Sequence, residues 1–251
     1  MEQNKQRIVV KVGTSTLTHN SGALDLWSME HLVRTLADLQ GMGHEVILVS
    51  SGAIAVGTAK LGLSERPKEL RMKQAAAAVG QCRMMHIYDK FFSEYNRSMA
   101  QILLTGDDVE DPERAEHLSN TFSALLEMGV IPVVNVNDSV SSAEIETGRH
   151  KVLGDNDTLS AIVAELCRAD LLVLLSDIDG LYDADPKTHP EAKLLHQVTE
   201  LTPEILEMAG GAGSWRGTGG MATKLSAARI AMEAGCDMVI TNGRRMEDLY
   251  G

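Results

Sequence analysis

Six short runs of apolar, largely β-branched residues punctuate the chain: residues 8–12 (IVVKV), 46–49 (VILV), 102–104 (ILL), 130–134 (VIPVV), 171–175 (LLVLL) and 238–240 (MVI). They are continuous rather than alternating, and a strand written that way is buried on both faces, as strands are in a parallel sheet. Parallel neighbours need crossover connections, and the segments between the runs carry helical periodicity. Residues 27–42 place Leu32, Val33, Leu36 and Leu39 at helical spacing, and residues 68–95 form a long Ala-rich stretch. Pro112 opens a helix reaching Met128, as proline does at a first turn, and residues 157–168 and 221–235 complete the set. Strands alternating with helices predict an α/β fold: a three-layer αβα sandwich with a mainly parallel central sheet. No linker rich in Pro, Gly or Ser divides the chain and no internal repeat is visible, so one domain over residues 1–251 is expected.

Charge narrows the function. The chain carries 35 Asp and Glu against 23 Lys and Arg, a formal net charge of −12. Such a surface repels nucleic acid and anionic membrane at range, because non-specific nucleic-acid affinity comes from clustered Lys and Arg. Aromatic residues, at 4%, are too few for a base-stacking platform. No run approaches ~18 uninterrupted apolar residues, and the first residues lack the apolar core of a secretion signal. Cys82, Cys167 and Cys236 lie far apart in apolar stretches with no CxxC, and read as small buried hydrophobes in a reducing, cytoplasmic compartment. An acidic chain that binds an anion must gather its cations locally, so the useful question is where lysines and backbone N–H groups converge.

Ligands of open parallel sheets bind beyond the carboxyl ends of the strands. Those ends read Lys11-Val12-Gly13-Thr14-Ser15, Ser50-Ser51-Gly52-Ala53, Asn135-Val136-Asn137-Asp138 and Ser176-Asp177. A glycine cluster, residues 210–224 (GGAGSWRGTGGMATK), then leads into a helix with Lys224 just inside it. Glycines let backbone N–H groups turn toward a phosphate, and a helix start adds positive dipole. The loop is neither a P-loop, which needs GK[ST], nor a Rossmann turn, which must follow a strand. A plain surface loop would explain its glycines, though not their junction with a helix and a lysine. Gly154-Asp155-Asn156-Asp157 precedes an apolar helix. One of these residues serves as an N-cap. Three in a row beside the Asn135–Asp138 cluster fit recognition of an ammonium group or organisation of lysines. An Asp-rich metal site is a third reading, although Mg²⁺ usually rides on nucleotide phosphates. Residues 141–152 (SSAEIETGRHKV) fit a polar β-hairpin, either a solvated excursion or a substrate lid. The histidines form no HExxH pattern and accompany no GxSxG elbow; His31, His86 and His117 fall on partly exposed helix faces.

Taken together and in order, these motifs resemble the amino acid kinase family, and most of all its glutamate-phosphorylating members, over essentially the whole chain. Lys11-Val12-Gly13-Thr14-Ser15 is similar to the family's KxGTS. Residues 49–57 (VSSGAIAVG) resemble its substrate loop, and 78–81 (AVGQ) the helix that follows. Asn135-Val136-Asn137-Asp138 looks like NEND and residues 154–157 like GDND. Gly180-Leu181-Tyr182, Asp185-Pro186 and residues 217–224 (GTGGMATK) resemble the nucleotide half. Val136 departs from the pattern, standing where the family often has Glu. Many relatives also carry a C-terminal PUA domain, which is not expected within these 251 residues.

The resemblance implies that the N-terminal half holds L-glutamate and the C-terminal half ATP. Lys11 and Lys224 would grip the transferring phosphoryl group, with Asp157 positioning them. Ser51, Gly52, Asn135, Asn137, Asp138 and Asn156 would bind glutamate. Ser176, Asp177, Thr218, Gly219, Gly220, Met221, Ala222, Thr223 and Lys224, with Lys11, would hold ATP, and Mg²⁺ would arrive with the nucleotide rather than on a dedicated set of side chains. The implied product is L-glutamyl 5-phosphate, made in the first step of proline biosynthesis, with proline as feedback inhibitor and a homo-oligomer (dimer or tetramer) as the assembly. Glutamate's γ-carboxylate, which ordinarily titrates at about pH 4.3, is already ionised near neutrality and needs no general base. Catalysis would rest on positioning and cationic stabilisation. A sister kinase acting on another carboxylate or on carbamate competes with this reading, but Gly13-Thr14-Ser15 replaces the Gly-Gly of acetylglutamate and aspartate kinases. A catalytically silent amino-acid sensor is the other alternative, and retention of both lysines and Asp157 argues against it.

Overall fold

The computed structural model describes residues 5–140, 155–186, 188–208 and 220–250. In chain order, the first half contains β1 (Arg7–Val12), α1 (Thr14–Leu17), α2 (Leu26–Gly41), β2 (Glu45–Ser50), α3 (Ala53–Lys60), α4 (Leu70–Glu94), β3 (Ser98–Leu104), α5 (Gly106–Glu110), α6 (Pro112–Glu127) and β4 (Val130–Val136). The second half contains α7 (Asn156–Cys167), β5 (Leu171–Ser176), β6 (Leu181–Tyr182), β7 (Leu194–Leu195), α8 (Pro203–Met208), α9 (Met221–Glu233), β8 (Asp237–Asn242) and a final 3₁₀ turn, Met246–Tyr250. Helix starts follow local chemistry. Asp25 caps α2 through the Ser28 N–H, Asp111 caps α6 ahead of Pro112, and Asp155 caps α7 by accepting from the N–H groups of Asp157 and Thr158.

Six strands form one sheet in the order β3-β4-β2-β1-β5-β8, and every pairing in it is parallel. The expected three-layer αβα sandwich is what these strands and helices build. One face of the sheet carries a core of Ile8, Val10, Val12, Leu48 and Val133 against Leu32, Leu36, Met84, Tyr88 and Phe92 of α2 and α4. The other carries Val9, Ile47, Val49 and Leu174 against Phe122, Val163 and Ala227 of α6, α7 and α9. Because all six strands run the same way, their carboxyl ends share one edge, and Gly13, Ser51, Asn137 and Asp177 follow them there.

Several details differ from the sequence-based expectation. The third strand begins at Ser98, not at residue 102, because β3 is an edge strand whose early residues are partly exposed and so break the apolar run. Pro132 sits inside β4, a central strand, where a missing N–H is normally excluded. It is accommodated because β4 pairs with β2 only from Val133 onward; Pro132 itself is matched to Ala100 of β3 alone. The two-residue strands β6 and β7 form an antiparallel ribbon outside the main sheet, too short to leave a periodic signature. Cys167 and Cys236 are buried as expected, but Cys82 is exposed, a correction to its reading as a core residue. It lies one position past Gln81 on α4, turned off the face that buries Gln81, Met84 and Tyr88. Residues 141–152, read as a hairpin, lie outside the described residues, as does the 210–219 part of the glycine cluster.

Helices α3 and α4 approach each other through two glycines. A Cβ added at Gly57 would stand 1.7 Å from the Ala76 carbonyl oxygen, and one at Gly80 would stand 1.8 Å from the Ala53 carbonyl oxygen. Neither position tolerates a side chain while the helices keep this spacing. The contact matters for the site because α3 starts at the loop that carries Ser51 and Gly52, and α4 carries Gln81 next to Gly80.

Candidate active site

Lys11 is the one charged residue in the interior of β1. Strand alternation puts it on the same face as Val9, toward α7 and α9, while Val10 and Val12 face the other core. There its ammonium lies 2.6 Å from Oδ1 of Asp157, the second residue of α7. Lys224, in the first turns of α9, approaches the other oxygen: its Nζ donates to Asp157 Oδ2 at 3.1 Å. The Thr223 hydroxyl donates to the same oxygen at 2.8 Å. All three charges are buried, with 9% of Lys11, 8% of Lys224 and 4% of Asp157 exposed. Burial works against ionisation of Asp157, but the adjacent Lys11 and Lys224 charges and the Thr223 hydroxyl outweigh it and hold the carboxyl below its ordinary value.

Two ammonium groups against one carboxylate leave a net positive charge in a desolvated pocket of a chain whose total is −12. Burying unmatched charge is costly. It becomes useful when an anion arrives, since preorganised cations in a water-poor site stabilise developing negative charge strongly. The arrangement suits phosphoryl transfer.

A second, neutral cluster begins one residue earlier. Asn156 Nδ2 donates to the Ser50 carbonyl at 2.9 Å, to Ser51 Oγ at 2.5 Å and to Asn135 Oδ1 at 3.3 Å. Asn135 is itself held at both ends: Oδ1 accepts from the Val136 N–H at 2.9 Å, and Nδ2 donates to Gln81 Oε1 at 3.0 Å. Beneath them the Ser50 hydroxyl and the fully buried Tyr88 hydroxyl share a 2.9 Å hydrogen bond. Burial pushes the Tyr88 phenol well up, with the Ser50 bond opposing it, so it stays neutral. Gly52 adopts φ +103, a left-handed conformation that favours glycine at the entry to α3.

The remaining expected residues spread around these two clusters. Asn137 and Asp138 follow β4 and are half-buried, with the Asn137 N–H donating to the Leu104 carbonyl at 2.8 Å. Val136 packs into the core shared with Ile102, Leu104 and Phe122, so its side chain serves the interior. Ser176 ends β5 buried, its hydroxyl 3.3 Å from Asp177 Oδ1. Gly220 precedes α9, and Met221 and Ala222 form its first turn; Thr218 and Gly219 lie outside the described residues. Thr223, expected on the nucleotide, also has its hydroxyl 2.9 Å from the Gly220 carbonyl, which competes with Asp157 Oδ2 for its one hydrogen. Sequence reasoning listed Ser50 among the strand ends but missed Gln81 and Tyr88 as parts of the site. Their signal was a glutamine and a tyrosine seven residues apart, on one face of a helix that is otherwise apolar there.

Comparison with known proteins bears on the family and the fold. Residues 6–242 match the amino acid kinase family. Glutamate 5-kinase of Clostridium perfringens (strain 13 / Type A) is 55% identical over 98% of this chain and 91% of its own length. Among solved structures, isopentenyl phosphate kinase from T. acidophilum superposes with a TM-score of 0.64 at 16% identity, over 97% of this chain and 94% of that one. Carbamate kinase from Giardia lamblia, bound to AMP-PNP, gives the same score and identity over 100% and 96%. At that identity these two speak for the fold alone. A parallel αβα sandwich, a buried two-lysine cluster at its carboxyl edge and a family match over nearly the whole chain lead to one conclusion: the chain belongs to the amino acid kinase family, is a phosphotransferase, and groups there with the glutamate 5-kinases.

Proposed function

We propose that this enzyme transfers the γ-phosphoryl group of ATP to the γ-carboxylate of L-glutamate, forming L-glutamyl 5-phosphate for proline biosynthesis. The observation that carries the reading is the junction at the start of α7, where Asn156 belongs to the amide cluster and Asp157 to the cationic one. The 55% identity to a glutamate 5-kinase supports the choice of substrate. The carboxylate is already an anion and attacks without a general base, so the task is to bring two anions together in line. Lys11 and Lys224 neutralise the transferring group, Asp157 fixes their spacing, and the amide cluster with Asp138 holds the amino-acid end. Ser176, Asp177 and residues 218–224 form the nucleotide side. The 1–251 region thus works as one kinase domain with glutamate on its N-terminal half and ATP on its C-terminal half.

Among the described residues no group of three or more His, Cys, Asp or Glu side chains could cage a metal. Both Asp157 oxygens already face lysines. This donor set fits Mg²⁺ carried by the ATP phosphates, where it would add charge neutralisation.

Proline shares glutamate's α-carboxylate and cationic amine and lacks the γ-carboxylate, which supports its acting as a feedback inhibitor in the same pocket. It should raise the apparent KM for glutamate and leave that for ATP unchanged. No described helix is long and apolar enough to cross a membrane, and the three cysteines are free, which fits a reducing cytoplasm. Exposed Leu61, Leu63 and Met72 around the α3–α4 junction support a homo-oligomer, testable by sedimentation. The decisive experiment measures ADP release with glutamate, acetylglutamate, aspartate and carbamate. Turnover with glutamate far above the others is expected; preference for another acceptor would overturn the assignment.

A further inference from the structure

We infer that Gln81 of α4 is a positioning residue for the amino-acid subsite: its Oε1, together with the Val136 N–H at the other end, holds the Asn135 amide in the orientation that offers Asn135 Oδ1 to Asn156. The inference rests on the glutamate reading just given and names a residue which that reading does not use.

The orientation follows from groups that cannot be turned round. The Val136 backbone N–H can only donate, so the 2.9 Å contact fixes Asn135 Oδ1 on that side. Asn135 Nδ2 must then face α4, and Asn135 is only 3% exposed, so its amide hydrogens need a protein acceptor. Gln81 Oε1, 3.0 Å away, supplies it. The consequence appears at the other end of the glutamine. Gln81 is 8% exposed, and its buried Nε2 has no hydrogen-bond partner among the described residues. A buried donor without an acceptor costs stability, and a methionine of similar length would avoid that cost. Gln81 is therefore held by the bond its carbonyl makes.

That bond reaches the ligand side in one further step. Asn156 Nδ2 has two hydrogens and three acceptors within reach, the Ser50 carbonyl at 2.9 Å, Ser51 Oγ at 2.5 Å and Asn135 Oδ1 at 3.3 Å, so Asn135 Oδ1 shares a hydrogen with one of the other two. With the amino end of Asn156 directed at β2 and β4, the carbonyl end of the same amide is the one left for the N–H donors of a substrate ammonium group. Gly80 makes the reach possible, since its missing side chain lets α4 close on α3 one residue before Gln81.

The test compares Gln81→Met, which keeps length and removes the acceptor, with Gln81→Glu, which keeps an oxygen facing Asn135. Steady-state kinetics on the full chain should show the KM for glutamate raised about tenfold in Gln81→Met, the size of effect expected when a buried amide loses its partner. The KM for ATP should stay within about twofold, and Gln81→Glu should restore the glutamate KM to within about threefold of the parent. If Gln81→Met does not fold, Gln81→Asn, too short to reach Asn135, carries the same expectation. An unchanged glutamate KM in the acceptor-less variant, equal changes in both KM values, or a Gln81→Glu variant as impaired as Gln81→Met would each overturn the inference. Absence of glutamate turnover in the parent enzyme would instead sink the functional reading on which it rests.

Discussion

Asn156 and Asp157 are adjacent in the chain, yet the first donates to the carbonyl of Ser50 at the end of β2 and the second contacts Lys11 of β1 at 2.6 Å. Consecutive residues of a helix point about 100° apart, so the first turn of α7 serves two chemistries at once. Its amide faces the neutral cluster that would hold an amino acid, and its carboxylate faces the two lysines that would neutralise a phosphoryl group in transfer. The Asp155 side chain, by capping the helix, fixes where that turn begins.

Removing Lys224 should strike the chemical step. Its ammonium is preorganised by Asp157 Oδ2 and buried, and loss of such a charge typically costs about a hundredfold or more in kcat. Lys224→Met is therefore expected to fold and to turn over at least about a hundred times more slowly in steady-state assays. A variant with near-parental kcat would remove Lys224 from the catalytic role.

Asp157→Asn should act on stability as well. It leaves Lys11 and Lys224 buried together without their shared counter-charge, and breaking a buried pair costs about 3–5 kcal/mol. Its pH dependence has a definite sign. The folded-state pKa of Asp157 is lowered from 3.8, against the pull of burial, by the two lysines. The carboxylate's contribution is thus fully present above the unfolded value and is lost as pH falls through the folded one. Denaturant melts from pH 7 down to the acid limit should show the gap between parent and variant narrowing only below about pH 4. A gap that stayed constant on acidification would contradict the ion-pair account.

Asp138 lies half-buried just past β4, three positions after Asn135 of the amide cluster. A charged hydrogen bond to a substrate ammonium contributes about 1.5–3 kcal/mol. Asp138→Asn should weaken glutamate about tenfold or more and leave ATP affinity nearly unchanged, as titration calorimetry with each ligand can measure. Collapse of ATP binding with glutamate binding intact would mean the two halves are assigned the wrong way round.

Gly80→Ala should force α3 and α4 apart, since the new Cβ would meet the Ala53 carbonyl oxygen at 1.8 Å. Overpacking of this kind costs about 1–3 kcal/mol or more, which for a chain of this size lowers Tm by several degrees. Gly106→Ala, at the start of α5 with nothing within 4 Å of the added carbon, is the control and should melt close to the parent. Equal melting temperatures for the two variants would show that the helix contact is looser than described.

Much of the fold was legible because burial on both faces leaves a local record. The run at residues 8–12 reads as a covered strand, and Lys11 within it opens the first of the strand ends that carry chemistry. Helix starts were equally local: Pro112 marked the opening of α6, and the N-cap read within residues 154–157 is Asp155, which satisfies N–H groups two and three residues ahead. Motif order along the chain was enough to indicate which strand ends carry chemistry. What needed the tertiary structure was every relation across elements. Lys224 and Asp157 are 67 positions apart, and their contact exists only because α7 and α9 lie side by side on one face of the sheet. Gly80 reads in sequence as a weak point in a helix; its reason is the Ala53 carbonyl of another helix. Gln81 and the exposed Cys82 are neighbours whose fates were set by the rotation of α4 against β2 and β4. Periodicity states which residues share a face, but the element that covers that face, and the polar group it brings to about 3 Å, are properties of packing between distant segments.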